Sequence, residues 1–216
     1  MKSFLIIGMG RFGRHCAHKL YEMGHQVMVI DNRESRIDAV LSYVHVAQIG
    51  DSTDEQFMST IGVSDFDCCV CAIGDDFQSS LETTSLLKEL GAQYVVARAC
   101  RDRHKKFLLR NGADEAVYPE RQLANWTAIR VSSEHIFDYI ELDKNHAIYE
   151  LDVPGSWIGK TISQVDVRNR YHINVIGLKV NDAVTMDFGP NTIFTGDMRL
   201  LVIGQIKQIQ KVFKYD

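Results

Sequence analysis

Three glycines near the N-terminus have the spacing of a loop that can hold a phosphate group. Gly8, Gly10 and Gly13 form a G-x-G-x-x-G pattern between a strand-like apolar run and a helix-like stretch. In that setting the first glycine permits a tight turn, the second lets backbone approach a phosphate, and the third lets the helix pack on the sheet. The N–H groups at the helix N-terminus then attract an anion. Asp31 stands 18 residues beyond Gly13, after the second apolar run, so the full pattern predicts a nucleotide-binding site.

Two charged residues indicate which nucleotide fits this site. The carboxylate of Asp31 can accept hydrogen bonds from ribose hydroxyls, and its charge disfavours a ribose that carries a 2′-phosphate. Arg11 stands just after the second glycine, where its guanidinium can pair with terminal phosphates. ATP and ADP end in such phosphates whereas a dinucleotide has a bridging pyrophosphate, so Arg11 favours a mononucleotide. The alternative interpretation is that Arg11 is a solvated surface residue.

Polar residues follow three more predicted strands, at the sheet edge where ligands bind in parallel α/β proteins. The stretch 50–53 follows the third strand, the stretch 73–76 follows the fourth, and Arg98 ends the fifth. These residues are candidates to contact the adenine, the ribose or a terminal phosphate. The residues of the two stretches are also typical of plain turns and helix N-caps, and Arg98 could equally be a surface charge. A role in ligand binding and a purely structural role therefore both stay open.

The elements that would position these residues alternate along the first 119 residues. The apolar runs are nearly continuous, as expected for strands that are covered on both faces of a sheet. The pattern predicts an α/β fold, a doubly wound parallel-sheet Rossmann domain. The predicted strands cover 4–7, 27–30, 44–49, 69–73, 94–99 and 115–118. The predicted helices cover 12–23, 33–41, 53–61 (capped by Ser52 or Thr53), 77–90 and 103–110.

The pattern changes after Pro119. Residues 120–144 are predicted to be a connecting helical segment, with one long helix or two broken helices from Glu120 to about Tyr139. An amphipathic helix of this kind is usually buried against a second domain or a second subunit. Residues 145–216 are predicted to be a small α+β domain. Its predicted strands cover 147–153, 173–180, 183–186 and 200–203, and its predicted helices cover 162–170 and 205–213.

Composition limits the class of function. The 216 residues include 24% charged residues of both signs and have a formal net charge of −4, which disfavours a nucleic-acid partner. No apolar run is long enough to span a bilayer, and no signal peptide is recognisable. Five cysteines, an odd number, indicate a reducing, cytosolic location. Cys68, Cys69 and Cys71 are predicted to be buried on a strand, because no second ligand pair completes a zinc set.

Several short motifs follow one another along nearly the whole chain. They are the glycine loop 8–13, Asp31, the stretch 50–53, Cys71-Ala72-Ile73-Gly74, the stretch 86–91, Asn111-Gly112-Ala113-Asp114, Tyr118-Pro119-Glu120 and the stretch 171–177. In this order the motifs resemble the regulator-of-potassium-conductance (RCK) family. Within it they are most similar to the KtrA- and TrkA-type gating subunits of potassium uptake systems. The ordered set is far more specific than the glycine loop alone.

The resemblance implies a first domain that binds ATP or ADP, with NAD(H) possible. Arg11 and Arg98 would meet terminal phosphates, Asp31 would hold the ribose, and Glu120 would join its dimer mate in binding Mg²⁺ or Ca²⁺. The implied nucleotide-binding residues are Gly8, Gly10, Arg11, Phe12, Gly13, Asp31, Asn32, Asp51, Ser52, Ala72, Ile73, Gly74, Asp75 and Arg98. Asp51 lies in Gly-Asp-Ser-Thr, where some ATP-type members have Asn-Ala-Thr, so the choice between ATP or ADP and NAD(H) stays open.

The resemblance also implies partners. Dimers would assemble into an octameric ring, peripheral on the cytoplasmic face of the membrane, and would gate a potassium-transporter subunit of the KtrB or TrkH kind. The small domain would bind cyclic di-AMP between two subunits, through Arg168, Asn174, Ile176 and Pro190. Alternatively, Arg168 and Arg170 are surface charges at a helix end.

Three other functions share part of this pattern. An NAD-dependent oxidoreductase also needs the glycine loop and Asp31, but no Tyr-x-x-x-Lys pair occurs and the second domain is small for closing over a substrate. A redox-sensing transcription repressor would need a winged helix and a basic face. A regulator of a potassium efflux channel differs least from an uptake regulator. We therefore predict a regulatory protein that is not an enzyme.

Overall fold

The computed structural model describes residues 1–213, which form two compact units. The first unit runs from Met1 to Arg121, and the second begins at Gln122. Each unit has its own β-sheet and its own buried apolar core.

The first unit alternates strands and helices. Its strands are β1 (Ser3–Ile7), β2 (Gln26–Asp31), β3 (Val46–Ile49), β4 (Cys68–Cys71), β5 (Val95–Arg98) and β6 (Glu115–Val117). Its helices are α1 (Arg11–Glu22), α2 (Glu34–Asp38), α3 (Glu55–Ser59), α4 (Phe77–Glu89) and α5 (Asp102–Arg110). The strands are all parallel and lie in the order β3-β2-β1-β4-β5-β6. This confirms the predicted doubly wound Rossmann fold, whose strand order reverses direction between β1 and β4.

The two central strands, β1 from Phe4 onward and β4, are apolar because helices cover both faces of the sheet. Leu5 and Ile7 of β1 pack into one core, together with Cys69 and Cys71 of β4. Ile6 packs into the core on the other face. Successive side chains of a strand point to opposite faces, which explains the division. The paired register of β1 and β4 then brings their carboxyl ends together at one edge of the sheet.

The strand cysteines behave as small apolar residues. Cys69 and Cys71 are fully buried, as predicted from their place on one strand face, and Cys68 is half-buried against the opposite core. Burial raises the pKa of the Cys69 thiol to about 12 and that of Cys68 to about 11. No group of three or more histidine, cysteine or carboxylate side chains able to hold a metal ion occurs among residues 1–213.

The second unit is built on an antiparallel sheet. Its strands are β7 (Ile136–Glu141), β8 (His146–Asp152), β9 (Ile173–Val180), β10 (Ala183–Thr185) and β11 (Arg199–Gln205), in the order β10-β9-β11-β8-β7. Its helices are α7 (Ile162–Val165), α8 (Val167–Tyr171) and α9 (Ile206–Phe213), and α6 (Pro119–Val131) leads into it. Tyr149, Phe194 and Leu151 are among its fully buried side chains. The α+β class predicted for this part of the chain is confirmed.

The predicted connecting helix is wrong beyond Val131. The helix α6 ends there, and residues from Ile136 to Glu141 form β7, which pairs with β8. Tyr139 is buried because β7 turns it into the core of the second unit, against Tyr149. Pairing with a partner strand thus outweighs the apolar spacing that had suggested a helix.

Two smaller expectations also fail. The predicted helix at 162–170 is two short helices, because Asp166 between them adopts a left-handed conformation with φ of 53°. The residue that caps α3 is Asp54, whose carboxylate accepts hydrogen bonds from the backbone of Gln56 and Phe57. Ser52 was one of the two caps expected, but its hydroxyl is bonded elsewhere.

No helix in the described part of the chain combines the length and the apolar character needed to cross a membrane.

We expect Gly13→Ala to destabilise the protein, because helix α1 approaches the glycine loop too closely for a side chain. A Cβ atom at Gly13 would lie 2.0 Å from the carbonyl oxygen of Gly8. The expected loss in the free energy of unfolding is about 1–3 kcal/mol, as for overpacking in a core, measured by urea denaturation. Gly10→Ala is the matched control, since a Cβ there meets nothing within 4 Å. Equal stability of the two variants would contradict the prediction.

Candidate nucleotide-binding site

A cleft of about 240 Å³ opens at the carboxyl ends of five neighbouring strands, β1 to β5. Its position is the point where the strand order reverses, which is where ligands bind in doubly wound sheets. The cleft is lined by Ile7, Gly8, Gly10, Ile30, Asp31, Asn32, Arg33, Arg36, Gly50, Asp51, Ser52, Ala72, Ile73, Gly74, Asp75, Asp76, Ser79 and Arg98. Each strand therefore contributes to one wall of a single pocket.

The glycine loop forms the floor between β1 and α1. Gly8 has a φ of +92°, a conformation that residues with a side chain rarely adopt, and its N–H donates to the carbonyl of Ile30 at 2.8 Å. The N-cap of α1 is Gly10, which has no side chain to bond the first N–H groups, and the first turn contains no acidic residue. The amino end of α1 therefore keeps free donors and a partial positive charge for an anion.

Asp31 holds this loop in place. It is only 4% exposed, and its Oδ2 accepts hydrogen bonds from the backbone N–H of Met9 at 2.7 Å and from Nη1 of Arg36 at 3.2 Å. Its Oδ1 accepts one from the backbone N–H of Arg33 at 2.9 Å. A buried carboxylate needs such partners. Asp31 thus ties the end of β2 to the loop, besides lining the cleft beside a candidate ribose position.

The residues after β3 and β4 are also engaged locally. Asp51 accepts from both the backbone N–H and the hydroxyl of Thr53. The buried hydroxyl of Ser52 bonds that of Thr83 at 2.8 Å, which fastens this loop to α4. Asp76 caps α4, and hydrogen bonds from the backbone and hydroxyl of Ser79 hold the pKa of Asp76 below its usual range. Turn and cap roles therefore coexist with a place on the cleft wall.

Arg98 forms the opposite wall through a close approach to Gly74. A Cβ on Gly74 would lie 2.4 Å from Nη1 of Arg98, so only glycine leaves room for this guanidinium. Nη2 of Arg98 donates to Oε1 of Glu120, near the start of α6. The Nε atom of Arg98 is buried and has no hydrogen-bond partner among the described residues. Arg98 is thus both a cleft residue and a link to α6.

The carboxylate of Glu120 is held ionised by this link. Burial alone would raise its pKa, but the hydrogen bond and charge of Arg98, a backbone hydrogen bond and the charge of Arg11 outweigh burial and lower the pKa. An ionised carboxylate near the cleft is a suitable oxygen ligand for Mg²⁺ or Ca²⁺. Metal binding by Glu120 stays a prediction, since its only side-chain partner in the described chain is Arg98.

Eleven of the fourteen residues predicted to bind nucleotide line the cleft, and three do not. Arg11 is exposed at the first position of α1, Phe12 packs on an apolar core, and Gly13 is buried against the loop. Gly50 and Asp76 were recognised only as parts of strand ends. No motif in the sequence pointed to the other five lining residues, although Arg33 and Arg36 closely follow β2. The five are Ile7, Ile30, Arg33, Arg36 and Ser79.

A second cavity, of about 360 Å³, lies in the second unit. Arg168, Asn174 and Pro190, three of the four residues predicted to share a site, line it together. Ile176, the fourth predicted residue, is outside the lining. It is the extra residue of a β-bulge, because Val175 and Gly177 pair with consecutive residues of β11.

The fold and the cleft define a Rossmann-type domain with a cleft at its strand ends, followed by a small antiparallel domain. Residues 4–119 match the TrkA-N domain and residues 146–215 match the TrkA-C domain. The chain is 35% identical over 213 residues to the Ktr system potassium uptake protein C of Bacillus subtilis, covering 99% of this chain and 96% of that protein. The chain therefore belongs to the KtrA/TrkA-type family of potassium uptake proteins, which confirms the KtrA- and TrkA-type resemblance seen in the sequence.

Two solved structures share the fold. The GsuK channel bound to NAD superposes with a TM-score of 0.69 and 21% identity, covering 96% of this chain and 38% of that chain. The Kef CTD of Shewanella denitrificans in its AMP-bound form has a TM-score of 0.51 and 25% identity, covering 61% of this chain and 82% of that chain.

We expect Asp31→Asn to destabilise the first unit. An amide has one acceptor oxygen, so its NH₂ group would face either the donors on Oδ2 or the donor on Oδ1 and leave them unpaired. The expected loss in the free energy of unfolding is about 1–3 kcal/mol, measured by urea denaturation without ligand. Asp51→Asn is the control, because Asp51 is exposed and its single bonded oxygen can be kept by the amide. A loss in the control as large as that in Asp31→Asn would refute the special role of Asp31.

Proposed function

We propose that the protein is a nucleotide-sensing regulatory subunit of a potassium uptake system. It binds ATP or ADP, or alternatively NAD(H), and releases the nucleotide unchanged. The observation that carries the proposal is the single cleft in which the glycine loop, Asp31 and five strand ends meet. Membership of the family supports the link to potassium uptake, since the Bacillus subtilis relative is named for that process.

The nucleotide would lie along the edge of the sheet. Its phosphates would meet the free N–H groups of the loop and of α1, where the helix dipole favours negative charge. Its ribose would lie near Asp31 and Asn32, and its base between the ends of β2 and β4. Support for this placement comes from the lining of the cleft, which joins Ile30, Asp31 and Ile73 in one wall.

The contacts of Arg98 would depend on the number of phosphates in the bound nucleotide. Its guanidinium lines the cleft and is paired with Glu120, so a terminal phosphate would compete with Glu120 for the same donors. A Mg²⁺ or Ca²⁺ ion shared by Glu120, the dimer mate and the phosphate would relieve the repulsion between carboxylate and phosphate. ATP and ADP would then differ in how they leave Arg98 and Glu120 arranged. Arg11, at the start of α1, would add charge nearby, as its effect on the pKa of Glu120 suggests.

The subunit would act as an octameric ring of dimers on the cytoplasmic face of a membrane transporter of the KtrB or TrkH kind. A nucleotide shifts such a ring only by binding one conformation more tightly than another. A change from 1:99 to 99:1 needs about 5.5 kcal/mol, or about 0.7 kcal/mol at each of eight sites. One altered charge-assisted hydrogen bond per site is sufficient.

The cavity of the second unit would bind a second ligand, cyclic di-AMP. Arg168 would pair with a phosphate, with Asn174 and Pro190 near a base. The support is that these three side chains line one cavity of the second unit. Ile176 lies outside that lining, so the proposed site rests on the other three residues.

Calorimetric titration with ATP, ADP and NADH, with and without Mg²⁺, tests the first ligand. We expect micromolar binding of ATP and ADP to the wild type. Arg98→Ala should weaken ADP binding about 10- to 100-fold, the range for a lost charge-assisted hydrogen bond. Gly74→Ala should also weaken ADP binding, because the methyl group of the alanine would take the position of the Arg98 guanidinium.

Arg110→Ala is the matched control, since Arg110 is an exposed arginine in the last turn of α5. Its affinity for ADP should equal that of the wild type. If Arg98→Ala binds ADP as well as the control does, Arg98 is not a phosphate contact. If no adenine nucleotide binds to the wild type, the proposed function is wrong.

A further inference from the structure

Two arginines at the ribose end of the cleft have no role in the function proposed so far. Arg33 and Arg36 follow β2 and line the cleft beside Asp31 and Asn32. The sequence disfavours a ribose 2′-phosphate here when only the negative charge of Asp31 is taken into account. The side chains around that carboxylate give a different charge balance.

The charge of Asp31 is already compensated within the protein. Its two oxygens receive hydrogen bonds from the backbone of Met9 and Arg33 and from the guanidinium of Arg36, and it is 4% exposed. An anion at the mouth of the cleft would therefore meet a neutralised ion pair rather than a bare carboxylate. The pair of Arg36 and Asp31 is neutral, and Arg33 adds one positive charge.

Most of the hydrogen-bond donors of these arginines are unused. Within residues 1–213, the guanidinium of Arg36 makes one hydrogen bond, through Nη1, and that of Arg33 makes none. A guanidinium carries five N–H donors in a planar fork that matches a phosphate. Both side chains have the freedom to turn toward a ligand, since Arg33 is exposed and the side chain of Arg36 is 36% exposed.

The neighbouring carboxylate of Asp51 cancels this one positive charge but does not make this end of the cleft negative. Asp51 follows β3, which pairs with β2, so it lies at the same end of the cleft. With Asp31 it gives two negative charges against the two of Arg33 and Arg36, and one of its oxygens is held by Thr53. The other lining carboxylates, Asp75 and Asp76, follow β4 on the far side of β1.

We propose that Arg33 and Arg36 form a subsite for a phosphate on the 2′ position of the adenosine ribose. The ligands of the cleft then include 2′-phosphorylated adenine nucleotides such as NADP(H). In doubly wound folds the ribose 2′ position faces the residue at the end of the second strand, and a nearby arginine is the usual partner of a 2′-phosphate. The inference rests on the proposed function, because it assumes that adenosine lies in this cleft.

Binding of adenosine 2′,5′-bisphosphate and of 5′-AMP to the full chain tests the subsite. The two ligands share the base and the 5′-phosphate and differ only at the 2′ position. We expect the bisphosphate to bind about tenfold more tightly, the gain from one charge-assisted contact. Adenosine 3′,5′-bisphosphate, which carries the same groups with one phosphate moved, should lack this gain if the contact is specific.

The ratio of the affinity for adenosine 2′,5′-bisphosphate to the affinity for 5′-AMP distinguishes the subsite from the rest of the cleft. The guanidinium of Arg33 makes no hydrogen bond within residues 1–213, so Arg33→Ala removes no hydrogen bond of the free protein. Arg33→Ala should lower the ratio several-fold, and Arg36→Ala should lower the ratio further. Arg98→Ala should weaken both ligands and leave the ratio unchanged. Equal or weaker binding of the 2′,5′ compound to the wild type, or an equal gain from the 3′,5′ isomer, overturns the subsite but not the cleft. Failure of all three ligands to bind overturns the subsite, and failure of ATP and ADP in addition overturns the proposed function.

Discussion

The buried carboxylate of Asp31 is the interaction on which the cleft depends. A charged group that is 4% exposed is tolerated only with hydrogen-bond partners, and Asp31 receives them from the backbone of Met9 and Arg33 and the side chain of Arg36. The carboxylate therefore joins the glycine loop before α1 to the chain after β2. Gly13 completes the arrangement, because its missing side chain lets α1 rest directly on the loop. The proposed phosphate and ribose positions are thus both formed by one connected group of atoms.

A second group of atoms forms the other wall of the cleft and extends from there to helix α6. Gly74 leaves space for Arg98, and Arg98 pairs with Glu120, the second residue of α6. The helix α6 continues to Val131 and carries the chain from the first unit into the second. A ligand that draws Arg98 away from Glu120 therefore acts on the first turn of the connecting helix. This gives the proposed regulation a physical starting point, since a conformational shift requires different contacts in each state.

The sequence predicted those features that depend on local spacing and on the topology of parallel sheets. Gly74 and Asp51 were found because ligands bind at the carboxyl ends of strands, wherever those ends are. Arg36 was missed because its place at the cleft depends on the turn of the five-residue helix α2 and on its pairing with Asp31. Strand β7 was missed for a similar reason, since its stability comes from pairing with β8 rather than from its own residues.

In the proposed site, the arginines of the cleft form two separate groups that would contact different parts of the ligand. Arg98 ends β5 and the pair of Arg33 and Arg36 follows β2, so the two groups stand on opposite sides of β1 in the strand order. No hydrogen bond joins one group to the other within residues 1–213. The first group can respond to phosphates at the 5′ end of a nucleotide, and the second to the substituents of its ribose. Because Arg98 pairs with Glu120 and Arg36 pairs with Asp31, a change in one pair leaves the other pair intact.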